Sequence, residues 1–199
     1  MVFDDFFKKL LISRELKMEE GKLTILNESW TMLPTKIYVG LVREFIKNPK
    51  LSYKLYYLAK EANRTGMANT MKKKYGLDKS KFINTGIDMA NMAGWGNIKI
   101  VNLDMETGNA TCNMYNSPVA AQFGHNDKPV DHIWRGVMAA GLSVALDKEI
   151  DWVEVSCIAQ GKPFCTFISK PRVDWLKDKN PLVREQLGLD KIQAKKKSK

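Results

Sequence analysis

Two cysteines placed evenly about a glycine constrain this chain more than any other feature. Residues 152–168 carry β-forming side chains on both sides of a Gln-Gly-Lys-Pro turn. In that turn Gly161 supplies an unusual φ and Pro163 removes a hydrogen-bond donor, which together predict a β-hairpin. Cys157 and Cys165 each lie four residues from Gly161. The hairpin therefore makes them cross-strand neighbours, with Cβ atoms roughly 4.5–5.5 Å apart.

A thiol pair at this separation suits a tetrahedral zinc ion. Two thiolates on one zinc, each about 2.3 Å from the metal, lie just under 4 Å apart. Glu154 and His132 are the candidates to complete the site. Residues 154 and 157 differ by an odd number, so a regular strand would direct them to opposite faces. The site therefore requires a bulge or a twist around Val155 and Ser156.

His132 belongs to a predicted helix over residues 129–146. Asn126 or Asp127 serves as the predicted N-cap, and Pro129 suits the first turn. His125 lies seven residues before His132 and is the reserve nitrogen ligand.

Other interpretations of the cysteine pair stay open on the residues alone. Cys157 and Cys165 could form a disulfide or be two buried apolar side chains, and Glu154 could face solvent. The chain has three cysteines, an odd number. In a reducing compartment that number favours metal binding or free thiols over a disulfide framework. We expect Cys112 to be a buried side chain outside the site.

The motif Glu-x-x-Cys, followed eight residues later by Cys and preceded by a helix of small residues, resembles the 4-vinyl reductase domain family. Two further segments are similar to that family: 58–66, a glycine-containing stretch of its first long helix, and 113–121, its strand-to-"Asn-Ser-x-x-Ala" step. Asn63 stands where a first glycine is common in the family. The resemblance covers roughly residues 30–170 and extends to hydrocarbon-sensing input domains of bacterial activators and, in fold, to small trafficking-complex subunits.

The resemblance also implies a ligand set. Zinc-binding members use the Glu and both Cys of the motif, plus a residue about two dozen positions upstream that is often Cys. These positions fall on Glu154, Cys157 and Cys165, and the upstream one falls on or beside His132. His in place of Cys keeps the site competent for Zn²⁺ and leaves Asp131 as a rival ligand.

The pattern of elements predicts an α+β fold, in which an antiparallel sheet of hairpins packs against several helices and zinc pins the C-terminal hairpin. Helices are predicted at 34–47, 51–75 and 79–93, and a second hairpin at 97–115. The predicted organisation is an N-terminal helix and hairpin extension (1–30), a ligand-binding domain (31–170), a closing helical segment (171–190) and a disordered basic tail (191–199).

Charge and hydropathy limit the partners. The net charge is +10, with five lysines in the last nine residues. A basic tail without interleaved aromatic residues predicts non-specific attraction to polyanions, not sequence-specific nucleic-acid binding. The sequence has no apolar run long enough for a membrane span and no secretory pattern at its N-terminus. We therefore expect a cytoplasmic protein.

Methionines and aromatic residues suggest a ligand pocket beside the hairpin. The chain has ten Met residues, and soft Met side chains with rigid aromatic rings suit an apolar or aromatic ligand. The same residues are also typical of an ordinary core. The predicted lining consists of Trp95, Met114, Phe123, Trp134 and Met138.

Three functional classes follow. The first is a zinc-stabilised sensor or carrier of an apolar small molecule, which passes its signal to a downstream protein partner. The second is a dimerisation adaptor like the trafficking relatives. An enzyme, such as a vinyl-group reductase, is the third, and it is disfavoured because nucleotide, hydrolase and metalloprotease motifs are absent. The apolar faces of the 34–47 and 51–75 helices, with Phe3, Phe6 and Phe7, predict a homodimer.

Overall fold

A computed structural model describes residues 5–190, apart from the side chains of residues 5–7, 49 and 50. These residues form helices and two antiparallel sheets, which confirms the predicted α+β class. The predicted basic tail 191–199 and Phe3 lie outside the described residues, and so do the side chains of Phe6 and Phe7. None of the helices in residues 5–190 combines the length and the apolar character that crossing a bilayer requires.

The N-terminal segment forms a sheet of its own. Helix α1 (Asp5–Ile12) precedes strands β1 (Leu16–Glu19), β2 (Lys22–Ile25) and β3 (Glu28–Trp30), which pair in that order. Left-handed backbone at Glu20 and Gly21 closes the first turn, and the same conformation at Leu26 and Asn27 closes the second. The expectation of one hairpin appended to the main sheet is thus corrected, because the second turn adds a third strand to a separate sheet.

The helical segment follows as α2 (Thr35–Ile46), α3 (Pro49–Thr65), α4 (Met67–Tyr75) and α5 (Lys79–Met92). The single helix predicted over 51–75 is broken at Gly66, where φ is −92° and ψ is −115°. The start of α5 is capped by Asp78, whose side chain accepts a hydrogen bond from the Lys81 amide.

The main sheet has the strand order β4-β5-β7-β6, with all neighbours antiparallel. Its strands are β4 (Asn97–Leu103), β5 (Ala110–Tyr115), β6 (Ile150–Ser156) and β7 (Cys165–Pro171). Between β5 and β6 lie α6 (Pro118–Phe123), where a loop was expected, and α7 (His132–Leu146). Short helices α8 (Arg172–Trp175) and α9 (Pro181–Leu187) close the described chain.

Helix α7 lies at the centre of the fold, packed against α3 and β6. Gly136 makes the approach of α3 possible. A Cβ atom at this position would lie 2.4 Å from the backbone oxygen of Tyr56 and 2.8 Å from the backbone nitrogen of Lys60. The small residues noted in the sequence of this helix therefore serve close helix packing.

A buried ion cluster fixes β6 against α3. The Asp151 carboxylate accepts hydrogen bonds from Tyr56 Oη at 2.6 Å and from Lys60 Nζ at 2.8 Å, and Arg172 Nε lies 3.3 Å from its second oxygen. Because a buried charge without partners is costly, this pairing holds the two elements in one register.

Candidate functional site

The cysteine hairpin contains the bulge that the sequence required. In the pairing of β6 with β7, Glu154 lies opposite Phe167 and Ser156 opposite Thr166, so Val155 is an extra residue. The bulge turns Glu154 to the side on which the cysteines lie. The Sγ atoms of Cys157 and Cys165 are 3.9 Å apart, and both thiols are free and buried.

Asp131 completes this cluster. One donor atom from each of Asp131, Glu154, Cys157 and Cys165 lies within 4.8 Å of the others, and all four side chains are buried. Cys165 Sγ is 3.2 Å from Asp131 Oδ2, and Glu154 Oε2 accepts a hydrogen bond from the Asp131 amide at 3.0 Å. Within the described chain, Glu154 Oε1 is buried and has no hydrogen-bond partner.

The electrostatics of the cluster favour a bound cation. Burial raises the pKa of Asp131, and burial together with the charge of Asp131 raises the pKa of Glu154 well above its usual value. The hydrogen bond from Cys165 lowers the pKa of the Cys157 thiol to about 7, and the pKa of Cys165 is raised because it holds the shared proton. A divalent cation would offset four deprotonated groups in this space.

The donor set fits zinc. Thiolates select soft or borderline metals over Mg²⁺ and Ca²⁺. The 3.9 Å sulfur separation matches two thiolates on one tetrahedral Zn²⁺. Asp131, Glu154, Cys157 and Cys165 are the residues that would hold it.

His132 is not brought into the cluster, although it was the predicted fourth ligand. It is the first residue of α7, and its Nδ1 lies 2.8 Å from Arg135 Nη2. Burial and the charge of Arg135 lower the pKa of His132 well below its usual value, so the ring is neutral. Asp131, the N-cap residue, takes the inward position. His125 is exposed, 3.6 Å from Asp127, and is also apart from the cluster.

Two residues that the sequence did not single out support the site. The side chain of Gln186 in α9 accepts a hydrogen bond from the Glu154 amide and donates one to the Glu154 carbonyl, at 3.0 and 2.8 Å. Arg135 is fully buried and donates to the Trp152 carbonyl at 2.9 Å. No local sequence signal marks Gln186, which lies 32 residues from its partner.

A cavity of about 260 Å³ lies between the helices and the main sheet. Three of the predicted residues line it: Trp95, Trp134 and Met138. The rings of Trp95 and Trp134 are stacked, with centroids 5.8 Å apart. Further walls come from side chains on six other elements: Trp30, Met71, Phe82, Ile98, Cys112 and Trp152.

Met114 and Phe123, also predicted to line the cavity, lie elsewhere. Met114 is fully buried farther along β5, opposite Cys165 and against Gly96. Phe123 ends α6 beneath the Arg43 guanidinium, which lies 5.1 Å from its ring centroid, and faces a polar cleft that also contains His125. Cys112, expected to be a bystander, lines the cavity instead.

Comparison with known proteins confirms the family resemblance. Residues 111–171, which include all four donor residues, match the model of the vinyl-4-reductase domain. No curated protein sequence matches the chain significantly.

Solved structures share the fold. The phenol-responsive sensory domain of the transcription activator PoxR, determined with phenol, is 19% identical with a TM-score of 0.72, over 93% of this chain and 95% of that one. A vinyl-4-reductase family protein from Methanocaldococcus jannaschii is 19% identical (TM-score 0.51, 86% and 98% covered). Trafficking protein particle complex subunit 3 from Naegleria fowleri, covalently bound to palmitic acid, is 14% identical (TM-score 0.52, 69% and 92% covered).

Proposed function

We propose that this protein is a zinc-stabilised domain that binds, and thereby senses, an apolar or aromatic small molecule. The observation that carries the proposal is the cavity, whose walls are Trp, Met, Phe and aliphatic side chains. Concave apolar sites with few polar groups are the usual form of small-molecule sites. Support also comes from the shared fold of the PoxR sensory domain, which is phenol-responsive.

In this proposal zinc has a structural role. Four protein donors give a closed site without an open position for water, and a bound zinc contributes folding free energy. Asp131 lies at the start of α7, and Glu154, Cys157 and Cys165 lie on the β6–β7 hairpin. Joining these two elements fixes Trp134 and Trp152, which follow or precede the donors by a few residues and form cavity walls.

Tetralin, a fused two-ring hydrocarbon, is a suitable probe. A dry cavity of about 150 Å³ binds benzene, so a cavity of about 260 Å³ has room for a larger molecule. In calorimetric titration of the zinc-loaded protein we expect saturable binding, one site per chain, with a negative heat-capacity change from apolar burial. The absence of saturable binding would leave the adaptor as the better account.

A homodimer is the second part of the proposal, and the adaptor alternative depends on it as well. Ile37 and Leu41 are one helical turn apart on α2, 46% and 47% exposed, and Met32 and Leu33 beside them are 75% and 43% exposed. Adjacent exposed apolar side chains of this size mark association surfaces. The enzyme alternative has no comparable observation in its support, and the cytoplasmic location stays a prediction.

Light scattering tests the dimer. We expect the wild-type protein to be dimeric at micromolar concentration and the double variant Ile37→Glu, Leu41→Glu to be monomeric, because a two-fold interface places the introduced charges in each subunit's contact patch. Val173→Glu, at a residue 63% exposed on α8, is the matched control and should stay dimeric. A monomeric wild-type protein would contradict the proposal.

A further inference from the structure

The polar groups of the cavity are almost all hydrogen-bond donors. Among the lining residues, Asn63, Trp134 and Trp152 carry polar side-chain groups other than sulfur. The amide nitrogen of Asn63 already donates to the Val137 carbonyl at 3.0 Å. The two indole N–H groups remain to be accounted for.

Neither indole N–H has a partner within the described chain. Trp134 Nε1 and Trp152 Nε1 are both inaccessible to solvent and make no hydrogen bond there, and the two residues are only 4% and 5% exposed. A buried donor left unsatisfied costs about 1–3 kcal/mol, so native proteins rarely keep one without a reason. Two of them on the wall of one cavity point to an acceptor that enters with a ligand.

Both indoles are held in place by the surrounding structure. Trp134 is stacked on Trp95. The backbone of Trp152 is fixed from both sides, since its amide donates to Tyr56 Oη at 3.3 Å and its carbonyl accepts from Arg135 Nη1 at 2.9 Å. A fixed donor contributes to selectivity because it does not turn away to find another partner.

We propose that the ligand is an apolar molecule bearing a hydrogen-bond acceptor, such as a ketone, ester or ether oxygen, and that the N–H groups of Trp134 and Trp152 select it. This inference rests on the proposed small-molecule function and narrows its ligand class. An apolar site with donors discriminates strongly against molecules that leave those donors unpaired.

A matched pair of probes isolates the hydrogen bond. Tetralin and 1-tetralone have the same two-ring skeleton, and only the ketone offers an acceptor. The measured quantity is the affinity ratio of 1-tetralone to tetralin in the wild type, in Trp134→Phe and in Trp152→Phe, because the ratio cancels the loss of ring area common to both probes. We expect the ratio to fall roughly three- to tenfold on removal of a donor.

Met138→Leu is the control, since it changes the cavity wall without changing a donor, and its ratio should equal that of the wild type. A lower ratio in either Phe variant supports the proposal and identifies the donor. An unchanged ratio in both overturns it, whereas failure of both probes to bind wild-type protein would instead reject the small-molecule function itself. If a Phe variant does not fold, the carbonyl stretching frequency of 1-tetralone bound to wild-type protein decides, because hydrogen bonding lowers it and an unshifted band overturns the proposal.

Discussion

Replacing Cys157 by Ser is expected to remove zinc and to lower the stability of the protein by more than about 4 kcal/mol, a loss typical of a missing structural metal. The hydroxyl is a poor substitute for a thiolate, and without the cation the buried carboxyl groups of Asp131 and Glu154 lose their common partner. For a chain of this size each kcal/mol corresponds to about 2–4 °C in unfolding temperature, so the transition should fall by roughly 10 °C. Elemental analysis and calorimetric unfolding of untagged protein measure both effects.

Cys112→Ser is the matched control, because Cys112 is equally buried but lies outside the donor cluster. This variant should keep its zinc and lose much less stability. A chelator should lower the unfolding temperature of the wild type and of Cys112→Ser, and leave Cys157→Ser unchanged. Wild-type protein without stoichiometric zinc, or equal losses in the two Ser variants, would contradict the metal assignment.

Replacing Gly141 by Leu is expected to abolish tetralin binding. Gly141 lies in α7 and lines the cavity, and a Cβ atom there would have no heavy atom within 4 Å. The Leu side chain therefore has room and occupies the space that a ligand needs. Because glycine inside a helix is destabilising by about 1 kcal/mol relative to Ala, the folded state should not be weakened. Titration calorimetry measures the binding, with zinc content as a check on the fold.

Gly141→Ala separates helix propensity from cavity filling. It gains the same backbone preference but adds one methyl group, so it should bind tetralin with only a modest loss of affinity. If Gly141→Leu bound tetralin as tightly as the wild type, the probe would be binding elsewhere and the cavity would have no role.

The hairpin and its bulge were predictable because their signals are local. Gly161 and Pro163 mark the turn within the sequence itself. The bulge at Val155 follows from parity, since Glu154 and Cys157 can share a side only if the strand gains a residue. Residues a few positions apart, related by strand geometry, are the case in which sequence reasoning is strongest.

The choice between Asp131 and His132 was not available from the sequence. It depends on the residue at which α7 begins, and helix boundaries are the least certain part of a pattern. The helix was predicted to begin near Pro129 and begins at His132. That difference makes Asp131 the N-cap beside the hairpin. The better zinc chemistry of imidazole favoured the wrong neighbour in the prediction.

The cavity could be predicted only in part, for a different reason. Trp134 and Met138 share a face of one helix, so their common role follows from their spacing. Trp30 and Trp152 reach the same cavity from β3 and from β6, and such long-range packing has no periodic signal. Met114 fitted the expected composition, but strand alternation alone does not say how far along β5 the cavity extends.

A crystal structure of the zinc-loaded wild-type protein with tetralin tests the central claim most directly. The account predicts the probe in the cavity against the stacked Trp95 and Trp134 rings, with Trp152 on another wall, and one zinc held by Asp131, Glu154, Cys157 and Cys165. A cavity closed by its own side chains, with the probe absent or bound elsewhere, would contradict it.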